Sequence, residues 1–102
     1  MRYQLFALLR GTVFSFHEDA ATPGVAVPMT LVEARESPAP PQFEQFSLHW
    51  DGPPAPHLRQ GTYRVTHPQL GEAAIFIVPI GHHPDGVRYE AVFSVRRDDG
   101  CA

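Results

Sequence analysis

The apolar positions change period at Gly11. Before it, Leu5, Leu8 and Leu9 recur at i, i+3 and i+4 with Phe6 beside them, which predicts one or two helical turns ending at Gly11 as a C-terminal cap. A helix this short is not stable alone, so residues 1–10 read as a short packing segment. From Gly11 onward the period is two. Phe14 and Phe16 share one face of a first extended run. Val25 to Arg35 forms a second, best developed over Met29–Ala34, where Pro28 calls for an edge position, a bulge or a late start. Phe46, Leu48 and Trp50 alternate cleanly in a third run, and Tyr63 and Val65 in a fourth. Pro68-Gln69-Leu70-Gly71 has hairpin length and leads into Glu72–Pro79. In the last run Tyr89, Ala91, Phe93 and Val95 alternate with Arg88, Glu90, Val92 and Ser94.

Between these runs stand glycine- and proline-rich turns: 18–24 with Pro23-Gly24, Ser37–Pro41, Asp51–Pro56 and Gly81–Gly86. No long amphipathic helix is available for a parallel crossover. The pattern therefore predicts an all-β domain, a small antiparallel barrel or sandwich of about six strands with a short N-terminal helical segment. The length of 102 residues supports one domain, with 97–102 as a frayed tail. The expected core is Phe14, Phe16, Leu31, Leu48, Trp50, Tyr63, Val65, Phe76, Val78, Tyr89 and Phe93.

One run breaks the alternation. Ile75-Phe76-Ile77-Val78 is apolar on both faces, whereas a strand with one solvated face should alternate. One of its faces needs a cover, either the stripe Leu5, Leu8 and Leu9 folded back or a second protein chain. Ile75 and Ile77 are the expected interaction positions, with a protein partner or self-association as the occupant.

The net charge of −3 argues against general nucleic-acid binding. Arg96 and Arg97, with Arg88 nearby, read as a solvated strand end rather than a basic patch. The one cysteine, Cys101, makes no intrachain disulfide. No apolar run reaches the roughly 18 residues that span a bilayer, and Leu5–Leu9 is short for a signal core. The default location is the cytoplasm.

His82-His83-Pro84-Asp85 is the densest group of metal-ligand types. Adjacent histidines on an extended chain point to opposite sides, and the surroundings look like an ordinary turn. His82, His83 and Asp85 are therefore weak candidates, and the expectation is no metal and no cofactor. His17, His49 and His67 read as surface or rim residues. Glu33 with Glu36, and Asp98 with Asp99, lack the apolar surroundings that tune a general acid. There is no nucleophile elbow, phosphate-cradling loop or paired-cysteine motif, so the chain is not expected to be an enzyme. Trp50, Tyr63, Phe76, Tyr89 and Phe93 could form a stacking platform, but their phase assigns them to a core.

An ordered set runs through the second half: Phe46-Ser47-Leu48, Gly52-Pro53, Gln60-Gly61-Thr62-Tyr63-Arg64, His67-Pro68-Gln69-Leu70-Gly71, Phe76-Ile77-Val78-Pro79 with Gly81, and Tyr89-Glu90-Ala91-Val92-Phe93. With these residues the chain resembles the bacterial DUF6916 family, a domain of unknown function, from about Gly11 through Phe93. The resemblance brings no catalytic residues. It implies a gene neighbourhood near phage-tail-collar-like proteins, and so a structural or accessory role. The expected function is a non-catalytic structural or protein-interaction domain, an accessory component of a tail-like or secreted assembly. The alternative is a small-ligand or peptide-binding barrel whose loops Ser37–Pro41 and Asp51–Pro56 border one mouth.

Overall fold

The computed structural model describes residues 2–17, 26–55 and 57–96. The expected turn over 18–24 and the tail 97–102 lie outside them. The elements are α1 (Tyr3–Leu8), β1 (Val13–His17), β2 (Ala26–Ser37), β3 (Phe43–Gly52), β4 (Gly61–His67), β5 (Gly71–His83) and β6 (Gly86–Arg96). The six strands form one closed antiparallel barrel in the order β1-β2-β3-β6-β5-β4, with β4 returning to pair with β1.

Two long strands turn the corners. The first half of β2 pairs with β1 and its second half with β3, with a shift in register between Leu31 and Glu33. In the same way β5 pairs with β4 through Ile77 and with β6 from Val78, with a shift between Pro79 and Gly81. Bulges at such positions bend a strand and let a small sheet close. Pro28 pairs with Ser15 in the stretch of β2 that has β1 as its neighbour. Its missing N–H therefore costs no ladder bond on the other side, and the edge position expected for it is the one observed.

Side chains fill the interior. Phe14 and Phe16 flank Trp50 nearly at right angles, with ring centroids 5.6 and 5.2 Å away, and all three are buried with Leu31, Leu48, Val65 and Tyr89. Tyr63 and Phe93 are partly buried and packed against that core, and Val78 is half-buried. Phe76 is the correction, at 50% exposure. The interior positions of β5 are Ile75 and Ile77, at 1% and 0% exposure. Cross-strand partners share a face: Tyr63 faces Ile75, and Val65 faces Ala73. That register places the isoleucines with the inward residues of β4 and turns Phe76 out with Thr62.

The helix closes one end of the barrel. Phe6 is fully buried, 6.3, 6.0 and 5.7 Å from the rings of Phe14, Phe46 and Phe93. Leu9 is buried as well, while Leu8 is 81% exposed. The apolar stripe of the segment is thus Phe6 and Leu9, three residues apart, rather than Leu5, Leu8 and Leu9. The helix has no side-chain cap of its own. The buried carboxylate of Glu44 on β3 accepts the Tyr3 backbone N–H at 3.0 Å instead, a favourable charge for a helix start. The segment packs on β2 and β3, not over the outside of β5. The expectation that it covers that strand is therefore wrong, because its two buried apolar side chains, Phe6 and Leu9, fill the barrel end.

The other end relies on backbone contact. A Cβ on Gly86 would collide with the carbonyl oxygen of Gly52, and one on Gly52 would lie 2.6 Å from Met29 Sδ. Only two glycines let the β5–β6 turn seat against the end of β3. Leu58 then fills the opening, and its N–H donates to the buried Tyr89 hydroxyl at 3.0 Å.

Candidate functional site

The polar candidates do not converge. His82 turns toward His57, with ring centroids 5.0 Å apart in a T-shaped arrangement. His83 turns the other way, its Nε2 3.9 Å from Asp51 Oδ1. Asp85 is an exposed turn residue. Among the described residues no three of His, Cys, Asp or Glu gather as a metal-binding group. The adjacent histidines point apart, as extended geometry requires.

His67 corrects the reading of rim histidines, since it is buried at 7% exposure. Its Nδ1 accepts the Gln69 N–H at 3.0 Å, and its Nε2 lies 2.9 Å from Thr12 Oγ1. The Thr12 hydroxyl donates to the Leu9 carbonyl at 2.6 Å. With that proton committed, Thr12 accepts from Nε2–H, so the chain of bonds fixes a neutral tautomer. It ties the β4–β5 turn to the end of the helix, and its role is structural. His17 meets Thr66 Oγ1 at 3.0 Å, a link between β1 and β4.

The outer face of β2, β3 and β6 carries a ladder of charges set by register. Glu33, His49 and Glu90 are direct cross-strand neighbours. His49 Nε2 is 3.0 Å from Glu90 Oε2, and Nδ1 is 3.4 Å from Glu33 Oε1. Glu33 also pairs with Arg35 rather than with Glu36. One row along, Arg88 grips Asp51 through two bonds of 2.6 and 3.0 Å. That hydrogen bonding holds the Asp51 carboxyl below its ordinary value and raises the Arg88 guanidinium. Arg88 and Asp51 satisfy one another, as in a surface network that orients strands, whereas His49 Nδ1 is buried with no hydrogen-bond partner among the described residues. Asp98 and Asp99 lie outside the described residues.

The apolar side of the exterior is different. Phe76, Val78 and Ile80 follow one another on the outside of β5, with Phe76 50% and Ile80 47% exposed, and Val92 on β6 is 73% exposed. Beside Ile80, a shallow groove of about 390 Å³ is lined by Gly81, His83 and Arg88. The two-faced apolar run thus does present an uncovered face, but not the expected one. Ile75 and Ile77 lie in the core, and it is Phe76 and Ile80 that are exposed. Alternation could not choose between the two faces, because both are apolar.

The two proline-rich loops do not border a common mouth. They flank β3 at opposite ends, and the first two residues of the second, Asp51 and Gly52, belong to that strand. Pro56, the last residue of the second loop, is outside the described residues. Among the described residues no helix is long and apolar enough to cross a membrane.

No curated protein and no solved structure matches the chain. A family model matches residues 1–93, which takes in the N-terminal helix as well as the strands. The chain therefore belongs to the family described as a domain of unknown function, DUF6916.

Proposed function

We propose that this domain is a non-catalytic protein-interaction module that docks through the outward face of β5 and β6 at Phe76, Ile80 and Val92. The observation that carries the reading is the exposure of these three large apolar side chains on adjoining strands. Among the described strand residues Val13 on β1 is the other large apolar side chain so exposed, at 52%, and the outer face of β2, β3 and β6 carries the charge ladder. Uncovered apolar surface of this kind is characteristic of contact sites. The filled interior weighs against a ligand-binding barrel, since Trp50, Tyr89 and four buried phenylalanines occupy the space a ligand would need. An accessory place in a tail-like or secreted assembly is part of this proposal and rests on the family resemblance alone.

Site-specific photo-cross-linking in the native host tests it. A photoreactive residue at Phe76 or Val92 should give a discrete protein adduct of fixed mass. The same residue at Gln42, exposed in the β2–β3 loop, should give none. Equal or absent adducts at all three positions would overturn the reading.

A further inference from the structure

The corner geometry leaves strand edges without ladders. β5 leaves β6 after Val78 pairs with Glu90, so β6 from Ala91 on is paired with β3 alone. Among the described residues, no backbone hydrogen bond outside the ladders reaches Ala91–Val95. β2 has a comparable open stretch where it pairs with β1 alone, and there Pro28 blunts it. The open stretch of β5, over Gly71–Ile77, carries the charge of Glu72. Ala91-Val92-Phe93-Ser94-Val95 has no proline, charge or bulge, three of the devices that stop one sheet edge from joining another.

We propose that this edge of β6 pairs antiparallel with the same edge of a second copy, joining two barrels across a two-fold axis. An antiparallel edge is its own complement, so one patch serves both partners. Directly opposed residues must point to the same face of the joined sheet. The axis must therefore pass through a residue pair, not between two. Of the registers this allows we take Ser94 opposite Ser94, for the cross-strand pairs it makes. That register sets Phe93 against Val95 on the inner face, an aromatic and a β-branched residue, a favourable cross-strand pair. On the outer face it sets Val92 against Arg96, and the two Arg96 side chains stay apart. The half-buried Phe93 and Val95 and the exposed Val92 are all covered in one step.

This inference rests on the interaction reading above and adds the partner and the register. The full-length chain should be a dimer by light scattering at micromolar concentration. Ser94→Cys in a Cys101→Ser background should form a disulfide-linked dimer on mild oxidation, because opposed strand residues lie within disulfide reach. Thr62→Cys, exposed on β4, should not. Val92→Arg should weaken dimerisation about tenfold, since a like-charged pair then occurs twice across the axis, whereas Val92→Glu should retain it by facing Arg96. A monomer at all concentrations overturns the inference, as does equal loss with Arg and Glu at position 92 or no Ser94→Cys cross-link. If a dimer is dispersed by Phe76→Glu while Ser94→Cys fails to cross-link, the apolar face stands as the contact and the strand pairing falls.

Discussion

The two ends of the barrel are closed by different physics. At the helix end large side chains do the work: Phe6 and Leu9 fill the opening, Glu44 holds the first turn, and the His67–Thr12–Leu9 chain fastens the last. At the other end the backbone itself closes. Gly86 lies on Gly52, and Leu58 is held beneath by the Tyr89 hydroxyl. A plug of side chains tolerates some repacking and can be lost as a unit. A backbone contact cannot repack, because a carbonyl oxygen has nowhere to move without unpairing its strand.

Substitutions at each end can break this contrast. Phe6→Ala removes a fully buried ring and should cost about 3–5 kcal/mol in urea unfolding. The helix should detach before the barrel melts, so exchange protection is lost first over residues 3–9 while β3–β6 amides stay protected. Uniform loss over the whole domain would mean that the plug and the barrel are one cooperative unit.

Gly86→Ala should cost about 2–4 kcal/mol, from a strained backbone angle together with an overpacked contact. Its φ is +157° and its Cβ has no space. Gly71→Ala offers the sharper reading, because Gly71 has φ +88° but open space around it. It should lose only the conformational part, about 1–2 kcal/mol. Equal losses at both positions would show that close approach to Gly52 contributes nothing.

The smallest expected effect concerns pH. The folded pKa of Asp51 is lowered, first by the Arg88 hydrogen bond. A depressed carboxyl contributes stability that is fully present above its unfolded value, about 3.9, and is lost as pH falls through the folded value. With both side chains about one-third exposed, the pair should be worth under about 1 kcal/mol. Unfolding at pH 7 and in the acid range should show this loss in the wild type and not in Asp51→Asn. An unchanged acid slope in Asp51→Asn would remove the pair from the account of how that end is held.

Reading the chain without coordinates reaches as far as alternation does. Phe14, Phe16, Leu48, Trp50 and Tyr89 are recognisable as core because a polar neighbour marks the opposite face of each strand. The signal fails where that contrast is absent. In Ile75-Phe76-Ile77-Val78 both faces are apolar, and only pairing with β4 decides which is interior. It fails again at His67, where burial depends on Thr12, a partner 55 residues away. The exposed face of β5 and β6 was half legible: the run that forms it could be named, but its side could not.

What the sequence determined by itself is the class of the domain, the number and rough limits of its strands and the helical start, because period, turn residues and proline positions act over a few residues. The tertiary structure alone decided which end the helix closes, which residues of β5 face water, and where β6 is paired with β3 alone. Those depend on register and on the bulges at Val32 and Ile80, where a shift of one residue turns every side chain beyond it to the other face.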